Sequence, residues 1–353
     1  MRRLLAIAVV ATAALVAAAP PPFEPVVPGA TLRFPQDFGA HPAHRVEWWY
    51  VTGHLESREG PLGFQVTFFR WRNRDAEANP SRFSPGQIVF AHAALSDPRK
   101  GRLAHDQRIA RALAPLVEAR TGDTDVRIDD WSLVRESGSY RTRIPAEGFA
   151  LDLALVPTQP VMLQGDRGFS RKGAKPSAAS HYYSEPHLRV AGRVTSQGRT
   201  ADVTGIAWLD HEWSSELLVE GAVGWDWLGV NLEGGGALMA FRIRDASGAS
   251  LWAGATIRPA GGEARALAPE AVRFTPRRTW KSPRTGTPYP VEMELSIEGK
   301  GWRIEPLMDD QELDARATTG TLYWEGAARV TGPDGETGRG YLELTGYAEK
   351  LPF

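Results

Sequence analysis

HRVEWWYVTGHL, residues 44–55, contains a five-residue run, Glu47-Trp48-Trp49-Tyr50-Val51, that returns later in altered form as Asp226-Trp227-Leu228-Gly229-Val230. Each run sets an acid, a Trp and a Val at the same offsets. The segments that follow also match, with Phe69-Arg70-Trp71-Arg72 after the first and Phe241-Arg242-Ile243-Arg244 after the second. Two matched neighbours in the same order read as one unit used twice. Aromatic and β-branched residues suit a pleated strand, and an early Trp on a first strand is the ring that small ligand-holding barrels use to close one end.

The rest of the chain has the same texture. Short runs of Val, Ile, Phe, Tyr and Trp alternate with Gly, Pro, Asp and Ser clusters, as in antiparallel strands joined by turns. The 36 Gly and 26 Pro among 353 residues exceed ordinary usage and serve as that punctuation. Eight strands are predicted in each half, the first set between 45 and 209 and the second between 225 and 348. The fold class is therefore all-β, with two up-and-down barrels or strongly bent sandwiches. The boundary falls near Leu217 to Gly224, dividing 23–217 from 218–353. Two stretches of weak apolar pattern, 103–119 and 309–316, are expected to be a short helix or a long loop.

Residues 1–22 read as a secretory signal peptide. Arg2 and Arg3 precede an apolar stretch from Leu4 to Ala19, which ends in small residues and prolines. The stretch falls short of the roughly 20 residues of a membrane-spanning helix. The competing reading is an uncleaved anchor, and the abrupt prolines argue against it. Cleavage leaves no integral membrane domain, so a periplasmic or secreted location is expected. The 41 basic and 42 acidic residues show no basic stripe, so no nucleic-acid partner is expected. With no Cys, thiol nucleophiles, disulfides and thiolate metal sites are ruled out, which leaves carboxylate, imidazole and hydroxyl chemistry.

Three segments concentrate that chemistry: 44–55, then HYYSEPHLRVAGRV at 181–194, and WLDHEWSSE at 208–216. Along 206–213, strand alternation puts Ile206, Trp208, Asp210 and Glu212 on one side and Ala207, Leu209, His211 and Trp213 on the other. His211 with Trp213 sets a proton donor beside an aromatic face. Asp210 with Glu212 sets two carboxylates in one site, where like charges raise one pKa and make a general acid. These four residues are the candidate catalytic set. Glu47, Trp49, Tyr50, His54, Tyr182, Tyr183 and Glu185, from the other two segments, are the candidate ligand-binding set. His41, His44 and His105 fall in predicted loops and are expected to be solvated, and Trp48, Trp208, Trp225 and Trp227 to be core.

Several signatures are missing. No G-x-S-x-G elbow occurs, HEWSS lacks the second His of H-E-x-x-H, and Gly234–Gly236 lies between strands as a hairpin turn. No metal site is expected.

At EWWYVTGHL, YYSEPHLRVAGRV and WLDHEWSS the chain resembles the family that groups carotenoid 1,2-hydratases (hydroxyneurosporene synthases) with AttH-like secreted bacterial proteins. The resemblance runs from about Pro35 to the C-terminus. It implies two lipocalin-like barrels in tandem, an apolar lipid or isoprenoid-type ligand and, in the hydratase branch, cofactor-free addition of water across a terminal double bond. A role beside an envelope transporter is also suggested for some secreted relatives. Protonating an alkene creates a tertiary carbocation, so such a site needs a neutral carboxylic acid, an aromatic face and a positioned water. By resemblance, His211 and Trp213 match residues the hydratases use. The hydratases also use a Tyr and an Asp two residues apart on a later strand. The best match, 237–244, offers Phe241 and Ile243, neither of which donates a proton.

Overall fold

The computed structural model describes residues 22–81, 83–216 and 218–351. The leader expected at 1–22 lies outside them except for Pro22. The described chain is almost entirely strand, arranged in two large antiparallel sheets that form one nearly closed barrel and one half-barrel.

Both sheets follow one plan. In the first, the opening strand Val46–Ser57 pairs on one side with the second strand, Gly60–Arg72, and on the other with the closing strand, Arg199–Ser214. The penultimate strand, Ala179–Ser196, lies beyond the closing one. In the second sheet, the opening strand Ala222–Leu232 sits between the second strand, Ala237–Asp245, and the closing strand, Thr337–Leu344. Its penultimate strand is Leu322–Thr331. The start and end of each unit therefore meet in mid-sheet.

The internal repeat has a physical basis in this plan. Glu47 registers across from Arg70 and accepts from its Nε at 2.8 Å, with both side chains buried. Asp226 registers across from Arg242 and accepts from its Nε at 2.6 Å, with Arg244 Nε at 2.9 Å. Each unit thus places an acid on its opening strand and an arginine on its second strand inside the curl. A buried carboxylate is tolerable only when paired in this way.

Strand alternation sends one set of side chains into each sheet's own core. The first core holds Trp49, Val51, Phe64, Leu209 and Trp213, and the second holds Leu228, Val230, Met293 and Trp324. The opposite faces of the opening and closing strands are largely shielded from water where the units meet. They pack against each other, with Tyr50, Tyr182, Trp208, Trp227, Phe241 and Tyr341 forming a third cluster between the units.

Two stretches depart from expectation. Residues 103–119 contain the strand Ala104–Arg111 and the short strand Val117–Ala119, and 309–316 contains Glu312–Asp314. Ala104–Arg111 reads AHDQRIAR and is only half-buried along its length. It forms the edge of its sheet, bonded to Gln87–Ser96, where one neighbouring strand holds the backbone without any apolar alternation.

Candidate functional site

The closing strand of the first sheet splits its chemistry between two environments. Ala207, Leu209, His211 and Trp213 point into the first barrel, whereas Trp208, Asp210 and Glu212 face the seam between the units.

Inside the barrel, His211 belongs to a closed network around Glu47. Its Nε2 donates to Glu47 Oε1 at 2.9 Å, and its Nδ1 accepts from the Tyr183 hydroxyl at 3.0 Å. Burial holds the His211 pKa down at about 4, against the pull of Glu47, so the ring is neutral. His41 donates to Glu47 from Nδ1 at 2.7 Å and to Asp37 from Nε2 at 3.3 Å. Burial lowers its pKa, but these two acids outweigh it and raise the pKa to about 9, so His41 is an imidazolium stacked on Trp213 at 3.7 Å. Burial would raise the Glu47 pKa, but Arg70 and the two histidines hold it well below the carboxylate range. His41, Glu47 and His211 offer three ligand-type atoms within 4.8 Å of one another, yet each of these atoms already makes a hydrogen bond. Trp49 stacks on His211 at 4.5 Å. Glu185, further into the same barrel, accepts from the Tyr140 hydroxyl, and burial pushes its pKa up to about 7. The side chains of His211, Trp213, Glu47, Trp49, Tyr183 and Glu185 therefore all lie in the packed interior of the first barrel. Of the three histidines expected in solvent, His44 is buried, His41 is in this network and His105 is on the edge strand.

The seam encloses a cavity of about 490 Å³. Its walls include Trp48, Tyr50, Trp225, Trp227 and Phe241, and Asp210, Glu212, Glu325 and Glu343 project into it. Asp210 accepts from the Tyr182 hydroxyl at 2.7 Å, from Trp208 Nε1 at 2.6 Å and from Ser184 Oγ. Burial nevertheless pushes the Asp210 pKa up to about 7, helped by nearby Glu212. Glu212 is held by Ser180 and by Lys172 Nζ at 2.8 Å. Glu325 and Glu343 face each other across neighbouring strands. Burial raises both, Glu343 to about 7 and Glu325 well above the usual range, with Glu343 adding to the rise of Glu325. Tyr50 donates to Glu325 Oε2 at 2.9 Å. His54 lies further along the seam, its Nε2 donating to the Gly340 carbonyl at 2.8 Å. The cavity thus gathers Asp210, Glu212 and Tyr50 from the candidate residues, with Tyr182 and His54 in the seam around it.

Register shows that the cavity is built from the repeat. Trp48 registers across from Phe69 and Glu212, and Trp227 from Phe241 and Glu343. All six line the cavity, so each unit contributes an equivalent Trp, Phe and Glu. Sequence reasoning missed Glu325 and Glu343 because it followed histidine, and no His lies beyond His211. The available signal was a carboxylate within an apolar strand, Tyr323-x-Glu325 and Tyr341-x-Glu343. A second hollow, of about 470 Å³, is an open groove near the Arg339–Glu56 ion pair, and none of the candidate residues lines it.

A cavity that sets carboxyls of raised pKa beside indole faces can donate a proton and stabilise the positive charge that results. No curated protein matches the sequence. Among solved structures, an AttH from Nitrosomonas europaea is 56% identical, with a TM-score of 0.86 over 92% of this chain and 99% of that one. Kievitone hydratase from Nectria haematococca shares the fold at 16% identity and a TM-score of 0.69, over 94% of this chain and 98% of that one. CghA, solved with Sch210972, is similar at 14% identity and a TM-score of 0.50, over 86% and 89%. The AttH-like family matches residues 25–347, and the chain belongs to that family.

Proposed function

We propose that this is an exported protein, periplasmic or secreted, that takes an apolar lipid or isoprenoid-type ligand into the cavity between its barrels. There it carries out cofactor-independent acid–base chemistry of the hydratase or isomerase kind. The observation that carries this reading is the placing of carboxyls of raised pKa against aromatic walls in one cavity. In this scheme the Glu325–Glu343 pair supplies the proton to the double bond, and the faces of Trp48 and Trp227 stabilise the cation. Asp210, held by Tyr182, Ser184 and Trp208, accepts the proton of the adding water. His211 and Trp213 act from behind the strand by fixing its position through Glu47. Kievitone hydratase, a hydratase by name on the same fold, supports the reaction class only as analogy.

The test is turnover of terminal isoprenoid alkenes in ¹⁸O-labelled water. Incorporation that is lost in E343Q and D210N is the expected result. Unchanged turnover in both variants would remove the acid assignment.

A second reading has one observation in its favour. Phe241 and Ile243 line the cavity at the matched positions where the resemblance places a Tyr and an Asp. A non-catalytic periplasmic lipid carrier or transporter accessory protein would keep such an apolar wall. Delipidated protein incubated with cell-envelope lipids should then retain a species detectable by mass spectrometry without converting it.

A further inference from the structure

The two equivalent halves of the cavity differ in one respect. In the first, Glu212 is neutralised by Lys172, whose ammonium lies 2.8 Å from the carboxylate and 4.3 Å from the centre of the Phe241 ring. In the second, the equivalent Glu343 faces another acid, Glu325. Among the described residues no Lys or Arg forms an ion pair with either of them. Glu325 is 1% exposed, and its Oε1 has no hydrogen-bond partner among the described residues. The indoles of Trp225 and Trp227 and the ring of Tyr50 stand around this pair, Tyr50 lying edge-on to Trp227 at 5.3 Å.

We propose that this half of the cavity binds a lipophilic organic cation, an amine or quaternary ammonium whose head sits between Glu325, Glu343 and the Trp225 and Trp227 faces. Its apolar tail lies along Trp48, Phe69 and Phe241. The inference goes beyond the acid–base reading and does not depend on turnover. Carboxylate and indole together are the surroundings that desolvated ammonium groups select, through ion pairing and the ring quadrupole. The chain uses the same combination internally, with Lys172 on Glu212 and Phe241.

The surrounding charges agree. The ionisable groups facing the cavity are the carboxyls of Asp210, Glu212, Glu216, Glu220, Glu325 and Glu343, the ammonium groups of Lys172 and Lys175, His92, Tyr50 and Tyr323. His92 is buried, and its ring is bonded to Tyr323 and Thr318. Acids outnumber bases, and the exposed lining residues Lys175, Glu216 and Glu220 mark the mouth. When the cation enters, the Glu325–Glu343 pair releases one proton to solvent. Positive charge is exchanged one for one, and no other bond changes.

Titration calorimetry of the full chain with decyltrimethylammonium, 1-decanol and decanoate, below their aggregation limits, tests this. The cation should bind about tenfold tighter than the alcohol, the scale of a desolvated cation–aromatic contact, and decanoate should bind weakest. Repeating the titration at pH 7 in buffers of different ionisation enthalpy should show release of close to one proton. E343Q should lose the preference for the cation and keep the affinity for decanol. Equal affinity for cation and alcohol in the native chain, or binding without proton release, overturns the proposal, and neither result requires a variant to fold. Cation binding in a protein without turnover would leave this site standing while the hydratase reading fails.

Discussion

At the scale of single residues, two buried acids show how much depends on partner number. Glu47 has one guanidinium, Arg70, whereas Asp226 has two, from Arg242 and Arg244. Replacing Arg70 by Met leaves Glu47 with histidines alone, and one of them is neutral. Breaking a buried pair from one side costs about 3–5 kcal/mol. R242M leaves Arg244 in place and should cost clearly less. Chemical denaturation of both variants checks the order, and equal losses would show that the second guanidinium adds nothing. Glu343 yields a prediction in pH. Its folded pKa is about 7 against an ordinary 4.5, so the folded state holds a proton that the unfolded state has lost between those values. The stability it contributes is fully present below pH 4.5 and lost as pH rises through 7. Native protein should therefore weaken relative to E343Q as pH is raised from 4.5 to 7.5, and a constant difference in melting temperature across that range would contradict the assignment.

At the scale of elements, alternation governs the site. One residue along Arg199–Ser214 separates a side chain in the first barrel from one in the cavity, so neighbours 210 and 211 lie in different surroundings. The period of the strand and its aromatic content were legible in the sequence, as was the pairing of Glu47 with Asp226 as equivalents. Which face met a cavity was not, because over 207–214 both faces of this strand are buried and carry ionisable groups. A strand with one wet face announces its inside, and the 207–214 half of this one has none. Glu325 and Glu343 were hidden for a related reason. They lie about 110 and 130 residues beyond the acid cluster they join, and only the docking of the two sheets brings them there. The edge strand Ala104–Arg111 was illegible because its order comes from backbone bonds to one neighbour rather than from apolar burial.

At the scale of the whole molecule, the proposed function requires the two sheets to hold a fixed spacing, because the cavity has one wall on each. The seam is pinned by directional bonds: His187 to the Gly236 carbonyl at 2.7 Å, Ser96 to Gln311 at 2.6 Å, and Tyr50 to Glu325. It also contains a point of bare contact. Gly63, on the second strand of the first sheet, packs so closely on the other unit that an added Cβ would lie 2.5 Å from Ala327 Cβ and 3.2 Å from Ser96 Cβ. Its backbone is ordinary strand, so the constraint is space rather than dihedral angle. G63A should push the sheets apart or strain the seam, at a cost of about 1–3 kcal/mol for overpacking. Ala327 is buried and contributes little beyond its methyl, so A327G alone should cost less. In the double variant the two changes should largely cancel, because the methyl that collides has been removed. A coupling energy of at least about 0.5 kcal/mol in the denaturation cycle is the expected sign of direct contact. Additive losses would mean that Gly63 is needed within its own sheet, and the spacing of the cavity walls would then have to be set by the polar pins alone.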